Sequence, residues 1–133
     1  MFTAEQVEAL SAEIDTQLRE LQATSESELK GDEQKRLPTK QSQAIEKVTG
    51  ELAPSFLQKF HLAVRDDLCQ EGGVLHTQWK KWADLSNPDV IDKFTVALVA
   101  MGFSGNAVNV LVVAVAVIVL HLGAKAFCEE YAA

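Results

Sequence analysis

The sequence is poor in positive charge. It contains 12 Lys and Arg residues against 19 Asp and Glu, which gives a net charge of -7 and a pI near 4.9. Its only adjacent basic pairs are Lys35-Arg36 and Lys80-Lys81. Nonspecific nucleic-acid binding requires clustered Lys and Arg that neutralise phosphates. The composition therefore predicts that nucleic acid is not a partner.

Motifs for catalysis and metal binding are also missing. The sequence has no Gly-rich phosphate loop, no nucleophile elbow, and no Cys or His at metal-ligand spacing. His61, His76 and His121 lie in separate segments, and His61 is expected to be a partly exposed helix residue. We therefore predict that the protein is not an enzyme and that it has no cofactor and no bound metal. Should a tertiary site exist, His76 with Asp84 and His121 with Cys128 are the pairs to inspect.

Cysteine is scarce, and an N-terminal export signal is not recognisable. The first ten residues, MFTAEQVEAL, contain no basic segment followed by an apolar one, so no secretory signal peptide is predicted. The expected location is therefore cytoplasmic. Thiols stay reduced in the cytoplasm, and the two cysteines, Cys69 and Cys128, lie far apart in sequence. Both are predicted to be free thiols.

Apolar residues recur every three or four positions through most of the chain, which predicts amphipathic helices. Thr3, Thr39 and Ser55 are the predicted N-caps of the first three. The residues of the predicted buried stripes are Val7, Leu10, Ile14, Leu18 and Leu21 in the first helix, Ala44, Ile45, Val48 and Leu52 in the second, and Phe56, Phe60, Ala63, Val64 and Leu68 in the third. The first stripe also fits a short coiled-coil seam, which leaves oligomerisation through this helix open.

Two further segments interrupt this pattern. Residues 23–43 lose their apolar face and are predicted to be a polar linker or a frayed helix. Beyond Gly72-Gly73, two tryptophans stand three residues apart around two lysines: Trp79, Lys80, Lys81 and Trp82. Such tryptophans pack in a core or at an internal interface. Beside lysines they are equally suited to anchoring a protein at the headgroup level of a bilayer, and both readings stay open.

Charged residues are absent from 94–124, and most of 107–122 is Val, Ala, Leu or Ile. The β-branched composition would suit a strand, but no partner strand is found upstream, so we predict a helix that runs from Asn106 to Phe127 or beyond. A helix that is apolar on all sides belongs in a protein centre or in a membrane. Its candidate core or membrane-contact residues are Val110, Leu111, Val113, Val115, Val117, Ile118 and Leu120.

The length of this helix is compatible with both environments. Residues 107–122 would span about 24 Å, somewhat less than a hydrocarbon core of about 30 Å. With the helix predicted before it, from Pro88, and the turn GFSGN, the segment 94–124 resembles in hydropathy the apolar hairpins buried at the centre of pore-forming helical bundles. Asn109 and His121 are its polar exceptions. If His121 is buried and neutral, low pH should favour opening of the bundle.

Length and patterning together predict one domain, 1–133. We expect an all-α compact bundle of five or six helices around a hydrophobic C-terminal helix. The predicted function is protein-protein interaction with a protein partner or by self-association into a homo-oligomer. The alternative is a membrane protein, either tail-anchored or inserting its apolar hairpin 94–124 into a bilayer.

Overall fold

The computed structural model describes residues 3–28, 38–82 and 87–131, and the side chains of 23–28, 81 and 82 are outside that description. Within these residues the fold is all-α, with seven helices where five or six were predicted. They are α1 (Ala4–Glu28), α2 (Thr39–Thr49), α3 (Ala53–Leu68), α4 (Val74–Trp82), α5 (Asn87–Ala100), α6 (Asn106–Leu122) and α7 (Ala124–Tyr131). Of the segment 23–43, residues 23–28 belong to α1, 39–43 belong to α2, and 29–37 lie outside the described residues.

One of the three predicted N-caps is confirmed. The Thr3 hydroxyl accepts a hydrogen bond from the backbone N–H of Gln6 at 3.2 Å. The side-chain oxygen of Gln6 accepts one from the backbone N–H of Thr3 at 2.8 Å. This reciprocal pair satisfies two backbone donors at the start of α1. The predicted caps of α2 and α3 are wrong, because Pro38 and Leu52 occupy those positions in extended backbone conformations.

The prediction that Leu52 belongs to the second helix is also wrong. The left-handed Gly50, with φ of 74°, ends α2 after Thr49. Leu52 therefore lies in the α2–α3 turn and is 68% exposed. Helix α3 then begins ahead of Pro54, whose missing N–H costs nothing in the first turn.

Helix α6 is the centre of the bundle. It packs against α1, α2 and α5, and α7 follows at its C-terminal end. Val108 and all of 111–119 are buried. The stripe of α1 supplies part of the opposing surface, with Ile14 fully buried, while α3, where Phe56 is fully buried, packs against α2 and α5. Because α6 has no polar face, the bundle gains most hydrophobic stabilisation by enclosing it on every side.

Aromatic rings join α3 to the α5–α6 hairpin. The rings of Phe60 and Phe94 meet edge to face with centroids 4.9 Å apart. Phe103, in the turn between α5 and α6, contacts Phe56 in the first turn of α3 at 5.9 Å. The α2–α3 turn and the α5–α6 turn therefore lie at the same end of the bundle.

The predicted continuous C-terminal helix is wrong, because the chain bends at Gly123. The axes of α6 and α7 differ by 100° there. Gly123 has φ of 93°, a value that residues with a Cβ rarely adopt. The bend turns α7 back onto α3 instead of extending α6 out of the bundle.

Candidate functional site

The candidate core or membrane-contact residues differ in how far they are buried. Leu111, Val113, Val115, Val117 and Ile118 are buried, whereas Val110 and Leu120 are partly exposed. All seven belong to α6, the central helix. All of them except the partly exposed Val110 belong to the core cluster or pack against it, so contact of those six with lipid would require the surrounding helices to move away.

Membrane-spanning potential is limited to one bent pair of helices. Among the described residues, no one helix combines the length and the apolar composition needed to cross a bilayer. Helices α6 and α7 meet that requirement only when they are counted together, across the 100° bend.

An apolar outer face on the α5–α6 hairpin was missed in the sequence. Val96 and Val99 lie one turn apart on α5 and are 49% and 54% exposed, and Ala100 beside them is also exposed. These three residues, here called the hairpin outer face, continue into the uncharged turn 101–105. The available signal was the helical position of the two valines, which is on the side of α5 opposite Phe94 and Leu98, both buried in the structure.

The prediction of two free thiols is wrong, because Cys69 and Cys128 form a disulfide. Their Cα atoms are 5.6 Å apart. Cys69 follows the last residue of α3 and Cys128 lies within α7, so the bend at Gly123 brings together two residues that are 59 positions apart in sequence. Sequence distance could not reveal this contact. The bond fixes α7 covalently to the C-terminal end of α3.

His61 is buried, which corrects the prediction that it would be partly exposed. Its side chain is only 4% exposed, because α7 lies over this part of α3 and the Phe127 ring is 5.9 Å from the imidazole. The Nδ1 atom of His61 has no hydrogen-bond partner among the described residues. Burial, followed by the positive charge of Arg65, lowers the pKa of His61 below its usual value.

His121 occupies the last turn of α6, just before the bend. It is partly exposed, not fully buried. Removal of part of its surface from water lowers the pKa of His121 as well. Folding therefore shifts both His61, which lies beneath α7 on α3, and His121, at the end of α6, towards the neutral form.

Trp79 connects α4 to the end of α3. Its indole N–H donates a hydrogen bond of 2.7 Å to the Leu68 carbonyl oxygen, its ring meets the His76 ring edge to face at 4.9 Å, and the Lys80 ammonium lies 5.0 Å from the ring centroid. The side chain packs against the core cluster and is partly buried. The side chains of Lys81 and Trp82, the other two candidate anchors, lie outside the described residues.

No cluster of metal-ligating side chains forms in the described part of the chain. None of its groups of His, Cys, Asp and Glu could hold a metal ion with three or more ligands. Of the two pairs proposed for inspection, Asp84 lies outside the described residues, and the thiol of Cys128 is engaged in the disulfide.

Fold and surface together define the chain as an all-α bundle with a hydrophobic central helix. Comparison with models of known protein families, with curated proteins and with solved structures gives no match. The function is therefore inferred from the geometry of the chain itself.

Proposed function

We propose that this chain is a non-enzymatic helical-bundle protein that acts through protein contact, and that the hairpin outer face joins two copies. The observation that carries the proposal is the exposure of Val96 and Val99 on a segment without charge. Exposed apolar patches bordered by polar surface are typical of interaction sites. A two-fold contact would cover both valines of each copy.

Charge favours this face over the rest of the surface. Each copy carries a net charge of -7, so two copies repel each other in most orientations. The stretch 94–124 contains no Asp, Glu, Lys or Arg. Contact through this stretch brings no like charges together within the interface.

Size-exclusion chromatography with light scattering tests the proposal. The intact chain is expected to change from the 14.5 kDa monomer to a dimer as its concentration rises. The double variant Val96→Glu/Val99→Glu is expected to weaken the dimer by about 100-fold or more, because covering the exposed half of the four valines contributes about 3 kcal/mol in total and the new carboxylates would face each other.

The matched control places the same charges elsewhere. Leu62 on α3 and Val74 on α4 are 52% and 48% exposed, and these exposed fractions are similar to those of Val96 and Val99. Leu62→Glu/Val74→Glu should leave the dimer unchanged. A wild-type chain that stays monomeric at every concentration, or a dimer that both double variants weaken equally, would contradict the proposal.

Insertion of the hairpin into a bilayer is the second candidate. It is favoured by the uncharged stretch 94–124 and by the combined apolar length of α6 and α7. Flotation with liposomes separates the candidates, because insertion predicts that the wild-type chain floats with the vesicles at acidic pH, whereas self-association alone predicts that it stays at the bottom of the gradient.

Acid should weaken the folded bundle through His61 and His121. Because burial lowers the pKa of both in the folded state, the unfolded chain binds more protons once the pH falls below about 6.5. The free energy of unfolding is therefore expected to decrease as the pH decreases. The contribution of His61 to this decrease is at most about 1.4 kcal/mol per pH unit. Urea titrations between pH 8 and pH 5 measure this slope.

Replacement of the two histidines provides the control. His61→Leu and His121→Leu should each reduce the slope between pH 6.5 and pH 5, while at pH 7.5 to 8 wild type and variants should show equal slopes. If the free energy of unfolding of the double variant His61→Leu/His121→Leu still decreases in acid as it does in the wild type, neither histidine causes the loss of stability. If wild type floats only in acid, the same double variant should float less.

We infer an oxidising compartment for the folded protein, in place of the cytoplasmic location expected from the sequence. The inference is supported by the disulfide between Cys69 and Cys128, because disulfides persist where thiols are not continuously reduced. Its test is the thiol state of the protein in its own cells. Alkylation of intact cells before lysis should label neither cysteine, whereas labelling of both would restore the cytoplasmic expectation.

A further inference from the structure

A pocket of about 270 Å³ opens between α1, α2 and α6, away from the hairpin outer face. Val110, Val113 and Ala114 of α6 form an apolar wall. The polar groups come from α1, α2 and one position of α6. Ligand pockets combine these features, with apolar walls and a few polar groups that fix orientation.

Asn109 is the polar group on α6. It interrupts an otherwise apolar stretch of the central helix, and its side chain lines the pocket. The amide makes no hydrogen bond to another described residue. Asn109 is partly exposed, so its donor and acceptor face the solvent-filled pocket, where the polar group of a ligand can take the place of water.

Gln41 supplies a second unused group from α2. Its side chain lines the pocket and is only 2% exposed. Its Nε2 donates to Gln17 Oε1 at 2.6 Å, and Gln17 Nε2 in turn donates to Glu13 at 2.7 Å, but Gln41 Oε1 has no partner among the described residues. This oxygen is itself buried, so it reaches a ligand only when the terminal amide, whose torsion is broad, rotates and Nε2 gives up its hydrogen bond to Gln17.

The charges at the rim favour a neutral ligand. Glu13 and Lys40 both line the pocket and carry opposite charges. Each already has an internal partner, since Glu13 accepts the hydrogen bond from Gln17, and the Lys40 ammonium lies 3.8 Å from a carboxylate oxygen of Glu20. The unpartnered polar groups of the pocket are the Asn109 amide and the Oε1 atom of Gln41.

We propose that this pocket binds a small, neutral, aliphatic molecule whose polar end both donates and accepts hydrogen bonds, as a primary carboxamide does. The ligand donates to Gln41 Oε1 and accepts from the Asn109 amide, while its alkyl part lies on the wall formed by Val110, Val113 and Ala114. The site is separate from the self-association surface, so its test does not depend on that proposal.

Titration of the intact chain with hexanamide, followed by two-dimensional NMR, tests the site. Saturable shifts are expected in the side-chain amides of Asn109 and Gln41 and in the backbone amides of 110–114. Hexanoate, which has the same chain length but a negative charge, should bind at least about tenfold more weakly, because the pocket has no unpaired cation. Absence of saturation, shifts confined to other regions, or tighter binding of hexanoate would overturn the proposal.

A matched pair of variants locates the contact. Asn109→Leu should weaken hexanamide binding about tenfold by removing one hydrogen-bonding group. Asn106→Leu makes the same change one turn earlier, at an exposed position that does not line the pocket, and should leave binding unchanged. Thermal unfolding of both variants establishes that each is folded. Equal hexanamide affinity in the two folded variants would exclude Asn109 from the site.

Discussion

Loss of the Cys69–Cys128 disulfide is expected to lower the free energy of unfolding by about 4 kcal/mol. The bond closes a loop with a sequence separation of 59, and in the chain-entropy model a cross-link over that length restricts the unfolded chain by about this amount. Small domains are stable by only about 5–15 kcal/mol in total, so the bond would supply a large share. Urea unfolding of the oxidised and reduced chain at pH 8 measures the difference.

The cysteine variants separate the bond from the side chains. Cys69→Ser and Cys128→Ser should each lose as much stability as the double variant, because either change removes the entire cross-link. Addition of a reductant should destabilise the wild type but have no effect on the double variant. Equal stability of the oxidised and reduced wild type would mean that the bond does not support the fold in solution.

Much of the helix packing could be predicted from the sequence. The period of three to four residues placed Phe56, Phe60, Ala63, Val64 and Leu68 on one face of α3, and all of them are buried except Ala63, which is exposed. The apolar run that became α6 was predicted as a helix in spite of its valines, because no other segment could pair with it as a strand. These predictions succeeded because the period of a helix face and the absence of a partner strand can both be read directly from the sequence.

The failed predictions near the C-terminal end of the chain share a different physical cause. The burial of His61 and the disulfide both depend on where α7 lies, and its position depends on a left-handed conformation at Gly123. Nothing around Gly123 marks it as a bend, since Ala124, Lys125 and Ala126 are good helix formers. One backbone torsion therefore decided contacts between residues far apart in sequence.

The candidate sites were harder to predict than the core. Asn109 was recognisable as an exception on an apolar helix, but the glutamines Gln17 and Gln41 are ordinary polar residues in polar stretches. They form part of a pocket wall only because α1 and α2 pack against the same part of α6. A site assembled from three helices has no signature in any one of them.

Leu111→Ala is expected to lower the free energy of unfolding by about 3 kcal/mol. Leu111 is fully buried on α6, and removal of a buried leucine side chain loses both its transfer free energy and the contacts around the resulting cavity. The change does not weaken the helix itself, because alanine has the higher helix propensity. Urea unfolding monitored by circular dichroism gives the value.

The matched control is Leu62→Ala on α3, where the same side chain is 52% exposed and the cost should stay within about 0.5 kcal/mol. Comparison of the two variants shows whether α6 is enclosed in solution. A large cost at Leu111 alone requires α6 to be enclosed by α1, α2 and α5, so that lipid contact must begin with their displacement. Small, equal costs at both positions would mean that α6 is not enclosed, and the hairpin would be available to a bilayer without opening of the bundle.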